Sequence, residues 1–362
     1  MANIIITGGS GFIGKQVTLR AIKEGHNIGV LDIKPPSIDN IIYTECDITA
    51  KDSVVKGFGK INSELGSIDA VIHLAASFNY SRTDHFQHQF NVTATDHVAE
   101  VASNILTDDK LFLYMGAIAS CRENFRERIT EDTPLHPFEN YGKSKQLAEE
   151  LLFEKYYLEE KLQIATFRAV MVYGNFSTGS YIDGLFNMIK NSPIILAPLK
   201  DTRNSYVHTD DMARAFLHAI NNHEQVFVKG AKHANDLAYN LADDLIVSER
   251  NVIKLLKNLI PGAKYKPILP IVPQPLFEIL SSSTEKLEKL VKERTSLSLA
   301  IAKHANYNHE LINTKFKHTG FEYSIPNVKI GLPKVVEWYK KNVWNKPGKL
   351  TQLKHFLNLL KT

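Results

Sequence analysis

The run Tyr141-Gly-Lys-Ser-Lys145 sets a phenol and an ammonium four residues apart. On a helix, positions i and i+4 share a face, so Lys145 can sit against Tyr141 and favour its phenolate. The pair is then an acid/base built from two side chains. Upstream, Thr7-Gly8-Gly9-Ser10-Gly11-Phe12-Ile13-Gly14 follows an apolar run and opens a helical pattern, the context that a dinucleotide fingerprint requires. Gly8 and Gly9 permit a tight turn, Gly11 lets the backbone approach a pyrophosphate, and Gly14 allows close helix-to-strand packing. Amide groups at the helix N-terminus would bind the phosphates. A free tyrosine has a pKa of about 10, and a positively charged nicotinamide beside Lys145 would lower it further.

Asp32 ends the second apolar run, 18 residues past Gly14. That is where an acid binds the adenosine ribose hydroxyls. Its carboxylate would repel a 2′-phosphate, so NAD is expected rather than NADP, with Lys34 the feature that argues the other way. Asp47-Ile48 follows the third run, where adenine would lie or where a helix would take a plain N-terminal cap. His85 and His88, three apart, have a spacing that can bind metal, but the sequence offers no third ligand and no metal is expected.

These residues need a scaffold. Strand patterns at Asn3 to Thr7, Asn27 to Asp32, Ile41 to Cys46, Asp69 to Ala75, Lys110 to Met115 and Gln163 to Val172 alternate with helical patterns near 12–24, 52–65, 84–105 and 140–160. That alternation predicts an α/β fold with a parallel sheet. After Gly174 the pattern becomes shorter and richer in aromatics, Gly, Asn and Pro, as in a smaller, mostly helical substrate domain. The expected division is 1–174 plus 204–242 for the dinucleotide domain and 175–203 plus 243–344 for the substrate domain. Residues 345–362 form a basic amphipathic tail, with Leu350, Leu353, Phe356, Leu357 and Leu360 on one face. It can dock on its own protein or a dimer mate, or make a peripheral membrane contact.

The 362 residues are 44% hydrophobic and carry a formal charge of +4, with charge too evenly spread for a nucleic-acid partner. Two cysteines, Cys46 and Cys121, make no disulfide framework. With no basic leader before Ile4 and no long apolar span, a cytoplasmic protein without a transmembrane segment is expected.

With the glycine loop, Asp32, His73-Leu74-Ala75-Ala76, Asn91-Val-Thr-Ala-Thr95 and Tyr141-x-x-x-Lys145 in order, the chain resembles the extended short-chain dehydrogenase/reductases, the NAD-dependent epimerase/dehydratase family. The resemblance covers residue 2 to about residue 220 strongly and the remainder loosely. It implies a Rossmann doubly wound parallel sheet binding NAD, with Leu74, Ala75 and Ala76 backing the cofactor. It implies Tyr141 as proton donor or acceptor, Lys145 on the nicotinamide ribose, Asn91 as a helix-positioning residue, and a homodimer through the helices near 84–105 and 140–160. The family places a Ser or Thr at the end of the fifth strand, and here Ala117 occupies that place. Losing one donor to a developing oxyanion costs about a hundred- to a thousandfold in rate. Ser120, Ser77 or a water are the available substitutes, and the other reading of Ser120 is a turn cap.

Arg168-Ala-Val-Met-Val-Tyr-Gly174 resembles the family's strand end leading into the substrate domain. Nucleotide-sugar members carry Arg-Asp-Phe before the next helix, the arginine binding a diphosphate. This chain has Asn204, Ser205 and Tyr206 there, with Arg203 one place early. The segment from Tyr265 to Phe277 and the pair Trp338-Tyr339 resemble the 3β-hydroxysteroid dehydrogenase and dihydroflavonol reductase branches, although proline-broken apolar segments also serve as ordinary core. The expected function is therefore oxidoreductase chemistry: hydride transfer between NAD and a secondary alcohol or ketone of a largely apolar small molecule. The alternatives are a nucleotide-sugar epimerase or dehydratase with tightly bound NAD, and a non-catalytic dinucleotide-binding protein lacking the family hydroxyl.

Overall fold

The computed structural model describes residues 1–78, 82–121, 128–137, 139–177, 180–197, 201–270 and 308–344. The tail at 345–362 and the part of the proline-broken segment beyond Pro270 lie outside the described residues.

Six runs rich in β-branched and aromatic residues become parallel strands: β1 (Asn3–Thr7), β2 (Asn27–Asp32), β3 (Ile42–Glu45), β4 (Ile68–His73), β5 (Leu106–Ala117) and β6 (Gln163–Ala169). Four short strands follow: β7 (Met171–Tyr173), β8 (Ile195–Ala197), β9 (Arg203–Asn204) and β10 (Tyr206–His208). The next, β11 (Ala238–Leu241), joins the main sheet, whose order is β11-β6-β5-β4-β1-β2-β3. All its pairs are parallel. The order turns back between β1 and β4, and in such sheets ligands bind in the crevice at the carboxyl ends of those strands.

Helices cover both faces, which is why the central strands are buried almost throughout. On one face α1 (Phe12–Lys23) packs on Ile4, Ile6 and Val30. On the other, α2 (Lys51–Leu65) and α4 (Ala94–Ile105) bring Val54, Phe58, Val98 and Ala102 onto Ile5, Val71 and Phe112. A glycine ends α2: Gly66 has φ 80°, the left-handed conformation that closes a helix without a Cβ penalty. Before α4 lie the short α3 (Asp84–His88) and a wider, π-type turn at Gln89–Thr93. The α5 helix (Asn140–Leu151) is capped by Glu139, whose side chain accepts from the Gly142 N–H at 3.0 Å, and it too continues in wider turns over Leu152–Glu159.

Three elements differ from the sequence expectation. The fifth strand begins at Leu106, ahead of Lys110, with a register shift against β4 between Ile68 and Ala70. The run Gln163 to Val172 breaks at Val170: β6 stays in the sheet, and β7 leaves it to pair with β10. The strand β11 was not anticipated; its four residues supply a short, fully buried edge. A separate apolar cluster gathers α6 (Tyr181–Asn191), the helix Glu249–Leu259 and the helix Val328–Tyr339 around Tyr173, Phe186 and Tyr206. The helix α7 (Thr209–Asn221) returns to pack with the α1 cluster through Phe216 and Ile220.

Candidate active site

The glycine loop is built by close approach. At Gly8 φ is +72°, and a Cβ there would lie 2.8 Å from the Ala75 nitrogen. A Cβ on Gly14 would lie 2.1 Å from the Gly8 carbonyl oxygen, so only glycine lets the first turn of α1 reach the end of β1. A Cβ on Gly9 would lie 2.7 Å from the Val30 side chain, whereas Gly11 is exposed and its own constraint is mild. No side chain caps α1 at Gly11, so its first-turn amides, from Phe12, Ile13 and Gly14, are left to an anion. Such an arrangement can hold a diphosphate.

Asp32 closes the loop from the side. One carboxylate oxygen accepts from the Ser10 N–H at 3.0 Å and the other from the Lys34 N–H at 3.0 Å, while the Ser10 hydroxyl donates to the Lys34 carbonyl. The acid thus stands beside the glycine loop, at the end of β2, with its remaining acceptor capacity available to ribose hydroxyls. Asp47 does not cap α2, whose N-cap is Ala50 without a side-chain cap; its Oδ1 accepts from both the N–H and the hydroxyl of Thr49 at 2.9 and 2.7 Å, and its carbonyl receives the Ala50 N–H. An Asx turn of this kind explains the residue without a ligand. Ile48 is buried beneath it, with its carbonyl meeting the His97 ring.

Between β1 and β4, Thr7 receives the chain that follows His73. Its carbonyl takes the Leu74 N–H and its hydroxyl the Ala75 N–H, which fixes Leu74 and Ala75 behind the loop and leaves Ala76 exposed. Asn91 pins the next turn, exchanging hydrogen bonds with Ser77 in both directions and donating to the Ser144 hydroxyl of α5. The segment after β4 and the helix carrying Tyr141 are therefore tied together.

Tyr141 and Lys145 share the inner face of α5, as their spacing predicts. The Lys145 ammonium, buried, donates to the Tyr114 hydroxyl at 3.1 Å and to the Met115 carbonyl at 2.8 Å. Burial lowers its pKa to about 8, opposed by Glu149 one turn on. Tyr141 departs from the expected direction. Burial, then the charges of Glu139 and Glu149, hold its phenol well above the ordinary value. The lysine alone does not make a phenolate here; a further positive charge at the site is needed to do so. Glu139 itself is pushed up to about 7 by burial.

Behind this pair lies a buried ion pair that spacing could not reveal. Arg168 on β6 binds Glu149 through Nε at 2.9 Å and Nη2 at 2.5 Å, and reaches Asn235 and the Glu131 carbonyl. Removing either partner would strand a buried charge, which costs about 3–5 kcal/mol. The pair pins α5 to the sheet close to where Gly116 must stay small: a Cβ there would lie 2.6 Å from Glu149.

At the end of β5, Ala117 is extended and buried. Ser120 does not replace its missing hydroxyl. Its own hydroxyl is fully buried and donates to the Ala117 carbonyl at 2.7 Å, closing the turn Ile118–Ser120. It acts as a turn cap because that turn packs under α5, where Gly142 meets Ala119. Ser77 is held by Asn91. Among the described residues no group of three or more His, Cys, Asp or Glu is placed to hold a metal.

On the far side, Asn204 turns inward. It is 3% exposed, donates to Glu249 at 3.1 Å and meets the His309 ring at 3.2 Å. The Glu249 carboxylate also accepts from the hydroxyls of Tyr206 at 2.7 Å and Tyr181 at 2.5 Å. Arg203 points the other way, 52% exposed at its side chain, and pairs with Glu310 at 3.4 Å.

The NAD dependent epimerase/dehydratase family matches residues 4–235, more than half of the sequence. The chain belongs to the NAD-dependent epimerase/dehydratase family. NAD is the cofactor of that family, and the strand order describes its Rossmann sheet. Among family relatives, the chain is 29% identical over 285 residues to dTDP-D-glucose 4,6-dehydratase of Dictyostelium discoideum, covering 71% of this chain and 62% of that protein. It is 26% identical over 196 residues to the decarboxylating sterol-4-alpha-carboxylate 3-dehydrogenase of the same organism, covering 52% of this chain and 58% of that one. The chain thus spans less than two thirds of either relative. A crystal structure of UDP-glucose 4-epimerase from Thermotoga maritima with UDP-glucose superimposes with a TM-score of 0.72 at 21% identity, over 94% of this chain and 99% of that one. That likeness is one of fold. No helix among the described residues is long and apolar enough to cross a membrane.

Proposed function

We propose that the protein is an NAD-dependent oxidoreductase that interconverts a secondary alcohol and a ketone on a small molecule without a nucleoside diphosphate handle. The amides of Gly8 to Gly14 would hold the diphosphate, Asp32 the adenosine ribose and Lys145 the nicotinamide ribose. NAD, when bound, supplies the hydride acceptor. Tyr141 takes the proton of the substrate hydroxyl during oxidation and returns it in the reverse direction. Its raised pKa suits a group that stays protonated until a cation arrives beside it. Ala117 gives the substrate oxygen one donor fewer than the family arrangement, which makes a slower enzyme but not an inert one.

The observation that carries the choice of substrate class is Asn204. Where nucleotide-sugar enzymes of the family resemblance carry a diphosphate-binding arginine, this side chain is buried and bound to a carboxylate, Glu249. Burial raises the pKa of that carboxyl, and the place holds a carboxyl and an amide instead of the cation that would bind a diphosphate. Epimerisation or dehydration of a nucleotide sugar is the second reading, favoured by the similarity to dTDP-D-glucose 4,6-dehydratase. Thermal shift of the NAD-loaded protein separates the two. Sterol and other apolar secondary alcohols should raise the melting temperature while UDP- and dTDP-glucose leave it unchanged; stabilisation by either nucleotide sugar would overturn the choice. A homodimer through the α3–α5 surface is part of the proposal, and sedimentation of the full chain tests it.

A further inference from the structure

Thr7, His73 and Tyr114 stand side by side because β1, β4 and β5 pair in parallel, with Thr7 opposite His73 and His73 opposite Tyr114. All three are buried, and Thr95 of α4 comes down on the same row. The protons along this row can be assigned. The Thr95 hydroxyl donates to the Asn91 carbonyl, so His73 Nε2 donates to Thr95 and its Nδ1 accepts from the Thr7 hydroxyl at 2.7 Å, while the Ala75 N–H donates to the Thr7 oxygen. His73 is neutral, held down to about 3 by burial and by Lys145, so its one proton sits on Nε2 and goes to Thr95 at 3.0 Å. Thr95 gives its own proton to the Asn91 carbonyl at 2.8 Å. The Lys145 ammonium has no lone pair and can only donate, so the Tyr114 oxygen is its acceptor, and the ammonium also lies 4.7 Å over the same ring.

We propose that Tyr114 is a positioning residue for Lys145: its hydroxyl, accepting from the ammonium, holds the lysine's charge at the Met115 carbonyl, where the cofactor's ribose must find it. This rests on the reading of Lys145 as a cofactor contact. The groups that face the ammonium are Tyr114 and, behind it, His73 from the sheet, and Tyr141 and Glu149 from its own helix, with Glu149 tied to Arg168 on β6. Of these, Tyr114 is the acceptor that can be deleted without removing a charge. Its loss disfavours the charged lysine, so the lysine would release its proton at lower pH.

The test is NADH affinity of the full chain, followed by fluorescence from about pH 6 to about pH 10, in wild type, Tyr114→Phe and Lys145→Met. Wild type should bind more weakly as the lysine loses its proton. In Tyr114→Phe that alkaline limb should move down by about one pH unit, the size expected for one hydrogen bond to a charge. Lys145→Met should have no limb. ADP, which ends at the diphosphate, should bind all three alike. A limb lost in Lys145→Met but unmoved in Tyr114→Phe overturns the proposal and leaves the cofactor reading standing; a limb that survives Lys145→Met overturns both. If Tyr114→Phe also loses ADP, Tyr114→Leu decides, since it removes the same acceptor with a different apolar side chain. A limb moved down in that variant supports the proposal, and an unmoved one overturns it.

Discussion

Asp243→Asn should abolish a loss of stability that wild type suffers as pH rises. Asp243 follows β11 and is 2% exposed; its N–H donates to the Tyr206 carbonyl at 2.6 Å, and its Oδ1 accepts from the Leu245 N–H at 3.3 Å. Burial pushes its carboxyl up to about 8, Asp244 adds repulsion, and the backbone donors of Leu245 and Val328 pull the other way. An unfolded aspartate titrates at about 3.9. Below about pH 4 both states hold the proton. From there to about pH 8 the native chain keeps a proton that the unfolded chain has released, so stability falls by about 1.4 kcal/mol per unit of rising pH. Above that both are ionised and the effect is complete. Asparagine keeps an oxygen for Leu245 and does not titrate. Urea unfolding of both proteins at about pH 5 and about pH 8 measures the difference. Glu139, pushed up to about 7, titrates in both chains and cancels. The variant's advantage over wild type should grow by up to about 4 kcal/mol across those three units. A difference constant to within about 1 kcal/mol would refute the reasoning.

Gly14→Ala puts a Cβ 2.1 Å from the Gly8 oxygen. Overpacking of about 1–3 kcal/mol should weaken NADH binding at least about tenfold in a chain that still folds, and unchanged affinity would contradict the loop's role. Asp32→Ala removes the carboxylate beside Ser10. NAD affinity should fall about ten- to a hundredfold and the preference over NADP should shrink, read as a ratio of dissociation constants. Ala117→Ser restores a hydroxyl at the end of β5 and should raise turnover about tenfold or more, with no rise counting against a substrate oxygen at that place.

The sequence made the nucleotide half legible because its signals are local. A glycine loop between a strand and a helix, or an acid at a strand end, needs no knowledge of the rest of the chain. Tyr141 and Lys145 were placed on one face of one helix for the same reason. What they touch was not legible. Tyr114 reaches Lys145 from 31 positions away, through a register fixed by two strand pairings. The Arg168–Glu149 pair and the Asn204–Glu249 contact join residues 19 and 45 apart. Burial decided the direction of the Tyr141 shift, and burial is a property of the packed chain. The strand β11 escaped because Ala-Tyr-Asn-Leu is too short to show a period. Ser120 and Asp47 each bond within their own turns, contacts that spacing could not show.

The central claim is that Tyr141 exchanges a proton while NAD and an apolar secondary alcohol exchange a hydride. It is tested most directly by NADH absorbance on mixing the protein with NAD and a panel of sterol, flavonoid and nucleotide-sugar substrates, in wild type and Tyr141→Phe. Absorbance should grow in wild type with a non-nucleotide alcohol and fall by about a hundredfold or more in the variant. Silence across the apolar alcohols, or equal rates in the two proteins, would contradict the account.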